Sequence, residues 1–207
     1  VSRRPKQAGP SRGTRMPEPH TRVPLRKALS PGLLTAVARG RLDVAVVTAP
    51  ATAPPPGVDL VPLADDLLFV AMPPDHPLAG RPGVGEAMPR GERWIASSDK
   101  PGSGLLGAWA ESPGRPDIAF VARDWVAKLG LVAAGLGVTV VPGLAVPALP
   151  ADIAIVPMDH PAASRPVAVA RPRDRGDGPV GRAFVAALRE SAADLAAEVL
   201  RRQRQPH

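Results

Sequence analysis

The sequence predicts an α/β protein built as two Rossmann-like lobes, and three observations carry that prediction. Short amphipathic helices run into a glycine and then into nearly continuous apolar segments, the order that lays helices over a sheet. This pattern occurs twice, near residues 30–48 and again over residues 93–141, with extended segments between the two occurrences. The chain of 207 residues is 44% apolar, enough to bury a core in each unit.

The first 28 residues are of a different kind. Arg3, Arg4, Lys6, Arg12, Arg15, Arg22, Arg26 and Lys27 face only Glu18, so this arm holds the whole formal charge of +7 and the remainder is neutral. Five prolines and no apolar periodicity predict a disordered tail. Its basic side chains suit phosphate contacts, and an extension without a role is the competing reading.

Order begins at Ser30-Pro31, read as a serine cap before a proline at the first helical position. Leu33, Leu34, Val37 and Ala38 give the helix its stripe and Gly40 its stop. Residues 42–48 (LDVAVVT) are expected to form a strand covered on both faces within a parallel sheet. After the turn block of residues 54–57, residues 58–63 and 67–72 read as two extended segments broken by Asp65-Asp66. Residues 73–80 (PPDHPLAG) are irregular. Residues 94–97 form a strand and residues 103–111 a helix with Leu105, Leu106 and Trp109 on one face. A strand over residues 118–122 leads to a helix capped by Asp124, with Val126, Leu129, Val132 and Ala133 as its stripe and Gly135 as its stop. Residues 138–141, 153–156 and 166–170 are strands, and residues 180–202 an amphipathic helix carrying Phe184, Leu188, Leu195 and Val199.

Absent cysteine excludes disulfides, thiolate metal sites and cysteine nucleophiles. His20, His76, His160 and His207 share no metal-ligand spacing, so neither a metal nor a cofactor is expected. No apolar run of signal-peptide or membrane-spanning length is present, and a cytoplasmic protein without a membrane partner is expected. His76, in Asp75-His76-Pro77, reads as a turn residue rather than a catalyst. Ser97-Ser98-Asp99-Lys100 matches the S-x-x-K spacing of penicillin-recognising enzymes, but Pro101 and Gly102 oppose the helix that this chemistry needs. Gly135-Leu136-Gly137 precedes a strand instead of following one, which makes the glycines a helix stop and not a dinucleotide fingerprint.

The strings GRLDVAVV (residues 40–47), PLADDLLFVAMPPDHPLAG (62–80), RWIA (93–96) and LVAAGLGVTVVP (131–142) resemble successive signatures of the effector-binding domain of LysR-type transcriptional regulators. Their order and spacing fit that family over more than a hundred residues. The resemblance implies two lobes of periplasmic-binding-protein type II architecture: lobe one from residues 29–64 plus 155–202, lobe two from residues 65–154, and a tail of residues 203–207. It implies extended hinge pieces near residues 67–72 and 153–158, a small-molecule effector between the lobes, and no enzymatic activity. The family's helix-turn-helix, linker helix and first βα unit have no counterpart upstream of Ser30. The expectation is therefore an incomplete first lobe in a truncated or mis-started product, with DNA reached only through a missing domain and with family-type homo-oligomerisation in doubt. A stand-alone solute-binding protein is the alternative.

In open α/β lobes, ligands sit beyond the carboxyl ends of the strands, where backbone N–H groups and short hydroxyls are presented. That places the candidate effector contacts at Thr48, Ser97, Ser98, Gly102, Ser103 and Thr139. Ser103, at the expected start of a helix, is the foremost of them. Arg93, Lys100 and Arg123 would add charge for an anionic effector.

Overall fold

The computed structural model describes residues 23–48, 53–85, 91–99, 116–174 and 178–203. The basic arm up to residue 22 and the helix expected over residues 103–111 lie outside these, as do Lys100, Gly102 and Ser103.

Helix α1 spans Ser30–Ala38, with Pro31 in its first turn and Gly40 closing it at φ 65°. The expected serine cap is corrected: Leu29 occupies the cap position and no side chain caps the helix. The Ser30 hydroxyl instead accepts the Thr48 N–H at 3.2 Å, tying the helix start to the end of the next strand. That strand, β1 (Ala45–Thr48), is shorter than expected and pairs antiparallel with a later strand. Its burial alternates: Ala45 and Val47 pack against Leu33, Leu34 and Val37, while Val46 is 42% exposed. The two-faced parallel strand is thus corrected to an antiparallel strand with one face under α1.

The long strand β2 (Val58–Met72) organises the rest. The break expected at Asp65-Asp66 does not occur; the strand runs through it, with one irregularity between Pro62 and Ala64. Asp66 continues the strand because its carboxylate has partners on two sides: the Arg165 guanidinium and the Leu144 N–H, which donates at 2.9 Å. The first part of β2 pairs with β7 (Ser164–Pro172), which in turn pairs with β1. The last part lies between β5 (Thr139–Pro142) and β6 (Ala154–Pro157), antiparallel to both. One strand thereby belongs to both halves of a curled five-stranded sheet.

Residues 68–72 are buried on both faces. Leu68, Val70 and Met72 meet Trp94, Val84, Val138 and Val156 on one side. Phe69 and Ala71 meet Ile95, Leu129, Val132, Val146 and Ile155 on the other. Strand β3 (Arg93–Ala96) runs parallel to β4 (Asp117–Val121), and Trp94 bridges in parallel to Val138. Helix α2 (Trp125–Ala133) begins as expected, with the Asp124 carboxylate accepting the Ala127 N–H at 2.9 Å. It stops at Gly135, whose φ is 72°. Gly137 has a separate reason to be glycine: a Cβ there would collide with the carbonyl oxygen of Arg93.

A 3-10 helix, Gly143–Ala148, follows β5 and was not expected from the sequence. Helix α3 (Pro179–Gln203) closes the chain, and its Val199 enters the core beside Leu129 and Val146. Residues 73–80 form turns, as expected. The two Asp-His-Pro sequences share a local device: each imidazole Nδ1 accepts the N–H two residues on, from Leu78 at 3.2 Å and from Ala162 at 3.0 Å. His76 Nε2 also lies 3.2 Å from the Glu92 carboxylate, which places it in a turn-fixing role. No helix among the described residues is long and apolar enough to cross a membrane.

Candidate functional site

Strand β3 directs the chain toward its carboxyl end at Ser97 and Ser98, and α2 begins close to the same end of the sheet. The contact that joins them is made by Lys128, in the first turns of α2, whose ammonium donates to the Ser97 hydroxyl at 2.8 Å. Lys128 is 4% exposed, and its Nζ stands 5.7 Å from the centre of the Trp125 ring. Burial lowers its pKa, because a desolvated ammonium loses hydration that the neutral amine needs less. Among the described residues no carboxylate is paired with it; Asp124, four positions earlier, caps α2 instead.

The remaining candidates are distributed differently. Thr48 ends β1 and is half-buried, its N–H held by Ser30. Ser98 is half-buried beside Ser97. Thr139 is buried, and its hydroxyl donates to the Ile95 carbonyl at 2.7 Å, across the join of β3 and β5. Its one proton is therefore engaged, and only its oxygen lone pairs remain for a ligand. Arg93 is exposed, with its guanidinium 5.1 Å from the centre of the Phe120 ring, and Arg123 is exposed at the end of β4. The structure thus places Ser97 and Ser98 at the carboxyl end of β3, Thr139 buried at the amino end of β5 beside Ile95, and Thr48 on a different strand group. An open cavity of about 360 Å³ lies elsewhere, where β2 residues 60–65 cross β7 residues 166–168.

Lys128 is the residue that the sequence reading missed. The stripe drawn through Val126 was off by part of a turn: Val126 is 77% exposed, whereas Leu129 and Val132 are buried. Trp125, Lys128 and Val132 are spaced at three and four residues, so the lysine lies on the buried face. A charged residue at a buried-face position was the signal available.

A second buried charge has a different setting. Asp66 is 2% exposed and accepts from Arg165 and from the first turn of the 3-10 helix, so three chain segments meet on one carboxylate. Among the described residues no group of three His, Asp or Glu side chains is placed to hold a metal ion.

Comparison with known proteins agrees with this architecture. Over 134 residues the chain is 34% identical to the Hca operon transcriptional activator HcaR of Escherichia coli, a match covering 62% of this chain and 44% of that protein. The Corynebacterium glutamicum OxyR C206 mutant superposes with a TM-score of 0.68 at 23% identity, over 84% of this chain and 55% of that one. The effector binding domain of QuiR in complex with shikimate superposes with a TM-score of 0.61 at 20% identity, covering 81% of this chain and 79% of that domain. The chain therefore spans less than half the length of HcaR and shares the effector-domain fold of these regulators. The LysR substrate binding domain matches residues 15–193, and the chain belongs to that family.

Proposed function

We propose that this chain is the ligand-sensing part of a transcriptional regulator, holding a small molecule between two lobes without transforming it. The observation that carries the reading is the Ser97–Lys128 pair at the carboxyl end of β3, where a buried lysine meets an exposed serine at the place open α/β lobes take ligands. HcaR's role as an operon activator and the shikimate held by the QuiR domain support the class of function. Lobe one is assigned to α1, β1 and the parts of β2 and β7 that pair with each other, and lobe two to β3, β4, α2 and β5. Thr48, on the first lobe, and Ser97 and Ser98, on the second, are the assigned effector contacts; Gly102 and Ser103 lie outside the described residues, and the buried Thr139 hydroxyl is engaged by the Ile95 carbonyl. Ligand binding shifts the balance between lobe arrangements, and base recognition belongs to another part of the regulator.

The test is a melting screen of the 207-residue chain against a metabolite library, followed by small-angle scattering with any stabilising compound. A ligand present at a hundred times its Kd should stabilise the fold by about 2.7 kcal/mol. It should also make the chain more compact, and Ser97→Ala should weaken its binding. If no compound raises the melting temperature, or if one does so unchanged in Ser97→Ala and without compaction, the reading fails.

A further inference from the structure

We infer that Lys128 and Ser97 form an anion-receiving subsite, and that the molecule bound there carries a carboxylate. This rests on the effector-binding reading above and narrows it to a chemical class. The starting point is an ammonium group in an unusual place. Removing a lysine charge from water is unfavourable unless a partner restores the lost interaction. Here the residue is 4% exposed, and among the described residues one of its three N–H donors is engaged, on a neutral hydroxyl.

The chain had a less costly arrangement within reach. Asp124 lies four residues before Lys128 on the same helix, the spacing at which exposed carboxylate and ammonium groups pair. The Asp124 carboxylate instead caps α2 at Ala127, and Lys128 turns inward to Ser97. Asp99, near the same strand end, is exposed and is not paired with it.

The lysine's own position adds to the argument. A cation in the first turns of a helix is opposed by the positive end of the helix dipole, whereas an anion there is favoured. The Trp125 face, 5.7 Å from Nζ, supports the cation only in part. A carboxylate at this point would supply the missing counter-charge, and the Ser97 hydroxyl lies within reach of the same group. The carboxylate would then be read by a charge-assisted hydrogen bond, with discrimination against the corresponding amide.

The test uses formate, small enough to enter whatever the shape of the natural effector, with formamide as the uncharged match. The side-chain resonances of Lys128 are followed by NMR in the full chain and assigned through Lys128→Met; Lys6, Lys27 and Lys100 serve as internal controls. The expected result is a formate-dependent shift at Lys128 at least several times larger than at Lys27. Formamide should not produce it, and Ser97→Ala, whose side chain is exposed, should reduce it. A Lys128 response no larger than that of Lys27, or equal responses to formate and formamide, overturns the subsite. The two readings fail separately. Stabilisation and compaction by an uncharged metabolite, with no formate response at Lys128, leave sensing intact and sink the carboxylate. A formate response at Lys128, with no compound in the library compacting the chain, upholds the anion subsite and sinks the sensing role.

Discussion

Two buried charges lie among the described residues, and their surroundings separate a group that holds the fold from one that we propose receives a ligand. Asp66, on the strand shared by both halves, is met by the Arg165 guanidinium and by the backbone N–H of Leu144, so β2, β7 and the 3-10 helix are tied to one carboxylate. Lys128, at the carboxyl end of β3, is equally buried but meets a hydroxyl and an aromatic face. A buried charge with matched partners is part of the structure, and removing one partner strands the others. A buried charge with no counter-charge among the described residues represents a cost that these residues do not offset, and on that the proposal of a bound molecule rests.

The largest effect should come from breaking the ion-paired network, in which the charges are matched although the Arg165 Nε is itself buried without a hydrogen-bond partner among the described residues. Asp66→Ala leaves the Arg165 guanidinium without its counter-charge, and is expected to cost about 3–5 kcal/mol, read from urea unfolding. A loss below about 1 kcal/mol would mean that water replaces the carboxylate and that the region is no more rigid than its counterpart. Next comes the frame around the lysine. Gly137→Ala forces the Arg93 carbonyl and the β3–β5 join apart, and should cost about 1–3 kcal/mol. Crowding at that join should also alter Thr139, whose hydroxyl bonds across it, so loss of slow amide exchange at Ile95 and Val138 is the sharper readout.

Asp124→Ala removes the cap of α2 and should cost about 1 kcal/mol. It should leave the Lys128 contact to Ser97 in place, because the two carboxylate and ammonium groups are not paired. A larger loss, coupled to a change at Lys128, would show that they act together. The smallest effect concerns pH. Because burial lowers the Lys128 pKa, the folded chain releases this proton before the unfolded chain does. Between the lowered value and the ordinary 10.5, unfolding takes up a proton, so rising pH favours the fold across that alkaline window. Lys128→Met should flatten this slope in unfolding measurements made from neutral to alkaline pH, and an unchanged slope would contradict the burial argument.

How far the sequence discloses this comparison differs between the two groups. The element order is legible because local chemistry decides it: Gly40 and Gly135 stop their helices at positive φ, and Asp124 caps α2. The apolar residues of β3, β5 and β6 announce buried strands. Continuity of β2 is not legible, because Asp65-Asp66 has the composition of a break and the partner that removes the break, Arg165, is 99 residues away in sequence. The pairing of β1 is hidden for a related reason. An apolar run reports burial but not the direction of its neighbour, and here the neighbour is antiparallel and near the far end of the chain.

Lys128 illustrates a different limit. Its place on the buried face follows from its spacing to Trp125 and Val132, but the exposed Val126 lies in the same turn and draws the stripe away. Ser97 was selected by position at the end of a strand, which topology alone supplies; its partner required the fold. The Asp66 network therefore became readable only in three dimensions, whereas half of the proposed Lys128 site could be chosen from the chain.

The most direct test of this division is the unfolding free energy of Lys128→Met, measured in urea at neutral pH beside the unmodified chain. The account predicts a variant as stable as the parent or more stable, since methionine fills similar space without a desolvated charge. A loss of about 2 kcal/mol or more would place Lys128 with Asp66 as a group that holds the fold together, and would remove the ground for assigning it to a ligand.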